Sequence, residues 1–254
     1  MSFFSIFIST ANAAGSPLKQ FEIHSIAPMH FGNVNVSFTN SSFWMLLVVL
    51  VSTLVLSLGV RRSSLVPNRL QSISELLYEF IANMVRDNAS QDGKPYFPFI
   101  FTLFIFILFS NVLGLIPYSF TVTSHIIVTF ALAMVVFIGV TIIGLVKHKM
   151  KFFTLFVPKG IPVALAPLLI IIELISYLVR PITLSVRLFA NMMAGHTLLK
   201  VFGGFVVALG FLGIGPLVVT VALYGLELIV ACLQAYVFAV LTCLYLNDAL
   251  HLHH

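Results

Sequence analysis

Charged residues are scarce in this sequence, and their scarcity excludes most classes of soluble protein. Only 8% of the 254 residues are Asp, Glu, Lys or Arg, whereas 60% are hydrophobic. The mean hydropathy of +1.10 lies far above that of a soluble domain. The net charge of +5 does not indicate nucleic-acid binding, because the basic residues cluster in a few connecting loops, as orientation signals do. The composition therefore predicts a protein with several membrane-spanning helices.

Cysteines, cofactor motifs and internal repeats are also few or absent. Cys232 and Cys243 lie eleven residues apart in one apolar run and are typical of small core residues. The sequence has no repeat of the transporter type and no motif for a quinone, a haem or a metal, so we expect no cofactor and no metal site. The C-terminal His251, His253 and His254 follow the last apolar run, and we interpret them as solvated.

The hydrophobic runs predict the order of the membrane elements. Residues 1–42 are expected to lie on the outer side, and the first 14 resemble a leader that lacks a basic start, so their cleavage stays open. Residues 43–254 are expected to form a single membrane domain. Its elements are spans at about 43–60, 96–116 and 126–146, an amphipathic interfacial helix at about 68–88, and a hairpin at about 163–209 and 217–246.

The last two apolar runs are too long for upright helices. A helix needs about 20 residues to cross a bilayer, whereas the run that ends at residue 209 has more than forty. Glycines and a proline between residues 210 and 216 indicate a turn between the runs. The predicted fold class is therefore an all-α membrane protein of about five membrane-embedded helices and one interfacial helix. The last two helices are predicted to form a long, strongly tilted hairpin.

The loop charges predict the orientation of the chain. Basic residues follow the first and third spans: Arg61, Arg62, Arg69, Lys147, Lys149, Lys151 and Lys159. The loop at residues 117–125, between the second and third spans, has no Lys or Arg. The positive-inside rule then places the basic loops and the C-terminus on the cytoplasmic or matrix side, and the N-terminus on the outer side.

The first arm of the hairpin carries charges that are expensive in a bilayer, at least about 2.5–3.5 kcal/mol each near its centre. Glu173, Arg180 and Arg187 are spaced by seven residues and share one slowly drifting stripe, with Asn191 one turn beyond Arg187. One interpretation is that these charges only pair between helices and hold the bundle together. Arg180 and Arg187 have few acids to pair with, which favours a functional role.

The second arm carries an acid that is expected to meet a histidine of the first arm. Glu227 and Gln234 lie on one face, seven residues apart. His196 precedes Gly210 by fourteen residues, and Glu227 follows Gly215 by twelve, so antiparallel arms would bring the two side chains together. Imidazole and carboxyl groups can both exchange protons near neutral pH once burial and a partner shift them. The pair therefore predicts one station of a proton relay.

Arg187 has the opposite chemistry, because its guanidinium group keeps its charge at any ordinary pH. A permanent cation between the outer station and an inner acid, Glu173, separates two half-paths that do not meet. A proton would then pass only on a moving carboxylate supplied by a partner, whose ionised form Arg187 would favour. Arg180, and Asn111 in the second span, are expected to support this path.

Several motifs together resemble subunit a of F-type ATP synthases over nearly the whole chain. They include RLFANMMAGH at 187–196, the preceding ELISYLVRPITLSV, the later LQAYVF, and SPLKQFEI, YEFIANMVRDN and IPYSFTVTSH. The resemblance implies a proton-channel stator subunit whose Arg187 faces a ring of c subunits and meets their essential carboxylate. It also implies that Asn191 and Gln234 neighbour the path and that Glu173 lies towards the inner outlet. The order of His196 and Glu227 resembles that in mitochondrial and alphaproteobacterial members.

The same resemblance implies partners and a location. The partners would be the c-ring, the peripheral-stalk subunit b and other stator subunits, together with lipid and protons. The membrane would be the mitochondrial inner membrane or a bacterial plasma membrane, and the subunit would have no catalytic site of its own. The competing hypothesis is a proton-coupled secondary transporter or a proton-pumping subunit of a respiratory complex.

Overall fold

A computed structural model describes most of the chain. The described residues are 21–28, 30–31, 34–35, 37–61, 67–89, 91–116, 119–149, 152 and 166–251. The leader-like segment, the first residues of the expected hairpin, the loop residues Arg62, Lys151 and Lys159, and the last two histidines lie outside them.

Helices make up nearly all of the described structure, which confirms the predicted all-α class. They are α1 Asn40–Arg61, α2 Arg69–Ala89, α3 Phe97–Gly114, α4 Ile126–His148, α5 Ala166–Leu209 and α6 Ile214–Leu250. Short 3-10 turns cover Gln91–Tyr96, Val122–Ser124 and Gly210–Gly213. By length and composition, four described stretches could cross a membrane: Asn40–Arg61, Asp92–Gly114, Ile126–His148 and Pro167–Leu250. The amphipathic α2 is not among them, and the last stretch contains both long helices.

Two small antiparallel ladders precede α1, and the sequence pattern does not predict them. Strand β1 (Ser25–Ala27) pairs with β4 (Phe38–Thr39), and between them β2 (His30–Phe31) pairs with β3 (Val34–Asn35). Strands of two or three residues are too short to display the alternation of polar and apolar residues that identifies a strand.

Helix α1 begins before its apolar run because polar residues cap it. The Thr39 hydroxyl accepts a hydrogen bond from the backbone N–H of Ser42 at 3.3 Å, a typical N-cap interaction. The side chain of Asn40 accepts from the backbone N–H of His24 at 3.2 Å and donates to the carbonyl of Glu22 at 3.1 Å. These bonds fix the preceding segment at the start of the helix.

The turn between α5 and α6 is shorter than the sequence predicts. Pro216 is the third residue of α6 and is tolerated there, because the first N–H groups of a helix have no intrahelical acceptor. Gly210 has a φ of 56°, a left-handed conformation that favours glycine. At its other end α6 continues through Asn247 and Asp248 to Leu250, beyond the predicted end near residue 246.

Cα packing divides the chain into two compact units. The first comprises the described parts of Met1–Leu50, Leu108–His125 and Leu188–Gln234, and the second those of Val51–Ile107, Ile126–Arg187 and Ala235–His254. In the first unit, Leu115, Met192 and Ala231 form a buried apolar cluster that brings together the end of α3 and the two arms of the hairpin.

In the second unit, Arg180 is enclosed by an acid and two tyrosine rings. Its Nη1 atom lies 3.1 Å from Asp248 Oδ2, and its Cζ atom lies 5.3 Å and 4.9 Å from the ring centroids of Tyr177 and Tyr245. The Tyr177 hydroxyl lies 2.6 Å from Thr141 Oγ1 on α4. A cation–π contact contributes about 0.5–2 kcal/mol, so this cluster stabilises the packing of α5, α6 and α4.

Polar contacts also join helix ends in the second unit. Lys147 Nζ donates to Asp92 Oδ2 at 2.8 Å, and His251 Nε2 lies 3.5 Å from the same oxygen. His148 Nε2 lies 3.0 Å from the carbonyl oxygen of Leu250. The end of α4 is thereby held to the segment before α3 and to the end of α6. The side chain of His251 is 40% exposed and also contacts Asp92.

Candidate proton-transfer site

A histidine and a glutamate lie buried between the two arms of the hairpin in the first unit. His196 Nε2 is 3.6 Å from Glu227 Oε1, and the two side chains are only 12% and 4% exposed. The arms run antiparallel here, since Met192 of α5 packs with Ala231 of α6 while His196, further along α5, meets the earlier residue Glu227. The distances of both side chains from the glycine turn predict this contact.

The Glu227 carboxylate lies beside a small cavity. Within the described part of the chain, neither of its oxygens has a hydrogen-bond partner. The cavity has a volume of about 150 Å³ and is lined by Asn191, Ala194, Gly195, Leu198, Leu223, Leu226, Glu227 and Val230. Such a volume holds a few water molecules. Both oxygens are fully buried, and a buried polar group without a partner is unfavourable by about 1–3 kcal/mol, so a small movement of the side chain towards the cavity would bring the carboxylate to water.

Gly195 allows the carboxylate of Glu227 to approach α5. A Cβ atom at residue 195 would lie 2.6 Å from Glu227 Oε1 and 2.8 Å from its Cδ, closer than real Cβ atoms come to other heavy atoms. The atoms that would have to move belong to the end of a flexible side chain rather than to the backbone. An added methyl group would therefore displace the carboxylate and leave the helices in place.

We expect Gly195→Ala to slow proton transfer without preventing assembly. The displaced carboxylate would lose its alignment with His196, and a shift of about 1 Å at a reacting group can slow a reaction by roughly a hundredfold. Gly203→Ala is the matched control, because a Cβ at residue 203 of the same helix would have no neighbour within 4 Å among the described residues. The measurement is ATP-driven acidification of vesicles per assembled complex. Equal rates for the two variants would contradict this role of Gly195.

The segment between α3 and α4 contacts His196 from another direction. Thr121 Oγ1 lies 2.9 Å from His196 Nε2. The Thr123 hydroxyl donates to Asn111 Oδ1 at 2.8 Å, and Asn111 Nδ2 donates to the carbonyl of Ala231 at 3.2 Å. Asn111, which the sequence predicts to support the path, therefore ties this segment to α6 beside the buried pair.

Aromatic rings lie in the same unit as the pair, and one of them contacts His196. The ring centroids of Phe21 and His196 lie 6.4 Å apart in an edge-on arrangement. His125 stacks on Phe120 with 5.0 Å between the centroids. Burial lowers the pKa of the His125 imidazole from its ordinary value of 6.5, so His125 adds no positive charge to this unit at neutral pH.

The other predicted site residues differ in exposure. Arg187 and Asn191 are both exposed, one helical turn apart on α5. Glu173 is half-buried, and among the described residues neither Glu173 nor Arg187 forms an ion pair. Gln234 is buried at 3% exposure and does not line the cavity beside Glu227. The structure thus brings Glu227 and Asn191 to one cavity, and His196 contacts Glu227 without lining that cavity, as Gln234 also does not.

Sequence reasoning missed three residues of these clusters. Thr121 belongs to a short connecting segment that has no periodic pattern, and Gly195 was visible only as a glycine inside an apolar helix. Asp248 is separated from Arg180 by 68 residues. For Arg180 the structure thus shows the pairing between helices that the sequence left as one interpretation, and the signal was an acid that continues the face of the last helix beyond its apolar run.

The apolar helices and the ionisable pair buried between two long arms define an integral membrane protein. The family model described as "ATP synthase A chain" matches residues 42–247. Proteins named ATP synthase subunit a are similar over most of this chain. That of Pelagibacter ubique is 57% identical over 243 residues, which cover 95% of this chain and 100% of the relative. That of Parvibaculum lavamentivorans is 55% identical over 94% of each chain, and that of Rhodospirillum rubrum is 54% identical over 94% and 99%. The chain therefore belongs to the ATP synthase A chain family, which confirms the family that the motifs indicate.

Proposed function

We propose that this chain is the proton-conducting a subunit of a bacterial F-type ATP synthase. The relatives carry the name ATP synthase subunit a and come from bacteria, which favours a bacterial inner membrane over a mitochondrial one. The proposed partners are the ring of c subunits, the peripheral-stalk subunit b and the other stator subunits. The transported species is the proton, which passes in two offset half-paths against the rotating ring.

The observation that carries this proposal is the buried pair with its cavity. His196 and Glu227 lie 3.6 Å apart, and Asn191 lines the cavity beside the glutamate. Asn191 is itself exposed on α5. A proton that reaches Glu227 from the outer side would therefore have a water-sized space through which it can leave towards the exposed face of the arm. A carboxylate of the ring, lying against that face, would be the acceptor.

Arg187 supplies the element that makes rotation necessary. It lies one turn from Asn191, is exposed, and has no acidic partner among the described residues. A guanidinium group at that position would draw each passing ring carboxylate into its ionised form. The proton would then leave on the inner side, along a half-path in which Glu173 takes part and which Gln234 neighbours. Arg180 has a packing role in this account.

The lengths of the long helices favour an oblique hairpin. The 44 residues of α5 measure about 66 Å at 1.5 Å per residue, whereas the hydrocarbon core of a bilayer is about 30 Å thick. We infer that α5 and α6 run at a steep tilt, which would lay the face of Arg187 along the ring. The orientation of the chain stays a prediction of the loop charges, which labelling of single cysteines at Ser119 and Lys149 from either side would decide.

Disulfide cross-linking to the ring tests the proposed function. A cysteine at Ala194, which is exposed seven residues after Arg187, is expected to cross-link with a cysteine near the ring carboxylate. The control position is Val135 on α4, which is 56% exposed and should not react with the ring. Both variants need Cys232→Ala, because Cys232 is exposed, whereas the buried Cys243 can stay. Cross-linking at Val135 and not at Ala194 would contradict the proposed face.

A further inference from the structure

Thr121 has no role in the proposed proton relay, although its hydroxyl lies between two hydrogen-bond acceptors. Its Oγ1 atom lies 2.9 Å from His196 Nε2 and 3.2 Å from the carbonyl oxygen of Gly114. A hydroxyl group has one proton to donate and two lone pairs that accept. It can therefore donate to the imidazole or to the carbonyl, but not to both at once. The choice depends on whether Nε2 of His196 carries a proton.

We propose that Thr121 is a positioning residue that holds the His196 imidazole in both of its protonation states. This inference rests on the proposed function of His196 and Glu227 as a proton station. When Nε2 has no proton, the Thr121 hydroxyl donates to it. When Nε2 carries a proton, it donates to Thr121 Oγ1, and the hydroxyl turns its own proton to the carbonyl of Gly114. Thr121 neither gains nor loses a proton in this exchange.

The surroundings keep Thr121 in place for this exchange. Thr121 is 4% exposed. A Cβ atom at residue 114 would lie 2.8 Å from Thr121 Cγ2 and 3.0 Å from its Oγ1, so the glycine at the end of α3 is what allows the hydroxyl to approach the helix. The Ser124 hydroxyl donates to the backbone carbonyl of Thr121 at 2.6 Å. The neighbouring Thr123 is held by Asn111 at 2.8 Å.

Among the described residues, Thr121 lies nearer to Nε2 than Glu227 does. Glu227 Oε1 lies at 3.6 Å, beyond ordinary hydrogen-bond distance, whereas Thr121 Oγ1 lies at 2.9 Å. The carbonyl of Gly114 also accepts from the Ser119 hydroxyl at 2.8 Å, and a carbonyl oxygen can accept two such bonds. The imidazole is thus held by Thr121 while its proton is exchanged with the glutamate or with water in the site.

Three substitutions in the assembled complex test this inference. Thr121→Val keeps the shape but removes the hydroxyl, and we expect ATP-driven proton pumping to fall about tenfold, which corresponds to about 1.4 kcal/mol. Thr121→Ser restores the hydroxyl and is expected to pump within about twofold of the wild type. Thr220→Val is the matched control, because within the part of the chain that the structure describes the Thr220 hydroxyl bonds only to the carbonyl of Pro216 in its own helix, at 2.8 Å. Rates are measured in inverted vesicles and divided by the amount of assembled complex.

Three results would overturn the inference. The first is wild-type pumping by Thr121→Val, and the second is pumping by Thr121→Ser that is as slow as that of Thr121→Val in assembled complexes. If Thr121→Val does not assemble, Thr121→Cys replaces it, because a thiol is a weak donor and a weak acceptor. Equal pumping by Thr121→Cys and Thr121→Ser is then the third result that would overturn the inference.

Glu227→Gln separates this inference from the proposed function on which it rests. Normal pumping by Glu227→Gln would contradict the station itself. Blocked pumping by Glu227→Gln together with normal pumping by Thr121→Val would contradict only the role of Thr121.

Discussion

Replacement of Arg187 by alanine is expected to abolish ATP synthesis driven by a proton gradient while the complex still assembles. Arg187 is exposed and forms no ion pair within the described residues, so its removal leaves no buried acid without a partner. Without the guanidinium group, the ring carboxylate has no cation that favours its ionised form on arrival. The measurement is ATP synthesis by inverted vesicles at equal amounts of assembled complex. Synthesis at the wild-type rate would contradict the central role of Arg187.

Two further substitutions show whether the charge itself or its geometry matters. Arg187→Lys keeps a cation but loses the planar donor group, and a buried ammonium can release its proton, so we expect impaired synthesis as well. Arg180→Gln is the matched control on the same helix. It removes the partner of Asp248 and the cation between two tyrosine rings, so we expect less assembled complex but normal synthesis per complex. Loss of coupling in Arg180→Gln would contradict the distinction between the two arginines.

The second large effect is expected at Glu227. Glu227→Gln keeps the size of the side chain but removes the carboxyl group that exchanges a proton with His196 or with water in the cavity. Because the carboxylate has no hydrogen-bond partner in the described part of the chain, its loss should not weaken the packing of the arms. We therefore expect ATP-driven proton pumping to fall to background while the amount of assembled complex is unchanged. The measurement is vesicle acidification, with Glu79→Gln on an exposed face of α2 as the matched control.

Exchange of the two ionisable groups distinguishes chemistry from position. His196→Glu combined with Glu227→His keeps one imidazole and one carboxyl group at the two positions, where Nε2 and Oε1 of the present side chains lie 3.6 Å apart. We expect the double variant to pump faster than either single variant, because both groups of the station are present again. Normal pumping by Glu227→Gln would place the station elsewhere in the chain.

The membrane helices and the buried pair could be predicted because the first depend on the length of apolar runs and the second on the regular geometry of a helix. Apolar runs of sufficient length predict spans, and a helical hairpin around a glycine turn pairs residues at similar distances from that turn. His196 and Glu227 satisfy this rule, and their contact follows from counting residues along two helices. The face shared by Arg187 and Asn191 follows from the same arithmetic, since four residues make about one turn.

The parts that the sequence did not predict depend on single contacts between distant segments. The ion pair of Arg180 with Asp248 joins residues 68 positions apart, and no periodic pattern links them. Thr121 approaches His196 from a connecting segment whose path is set by hydrogen bonds to α3 and α5, not by its own residue pattern. The ladders before α1 contain strands of two or three residues, too short for a period to appear.

The boundaries of the long arms differ from the predicted ones for reasons of backbone chemistry. Proline disrupts the interior of a helix because it removes a hydrogen bond and its ring meets the preceding turn, whereas Pro216 lies in the first turn of α6, where its missing N–H has no intrahelical acceptor. Polar residues near the C-terminal end of α6 continue the helix because Asp248 has a partner in Arg180. Composition alone therefore placed the start of this arm too late and its end too early.

The barrier attributed to Arg187 has a magnitude that can be compared with the membrane potential. One charge that crosses 100 mV gains about 2.3 kcal/mol. A cation at about 4 Å from the path repels a proton by roughly 4 kcal/mol when the effective dielectric constant is near 20. The field of Arg187 can therefore oppose a physiological potential, whereas a neutral side chain cannot. Removal of the guanidinium group should join the two half-paths.

The most direct test is proton flux through a complex that cannot rotate. Vesicles would hold complexes stripped of the catalytic head, with the ring locked by a disulfide to a cysteine at Ala194, under an imposed potential of about 100 mV. With Arg187 present, the account predicts no flux above that of vesicles without the complex. With Arg187→Ala in the same locked complex, it predicts a flux that persists without rotation. Equal, background flux in both complexes would contradict the claim that Arg187 separates the two half-paths.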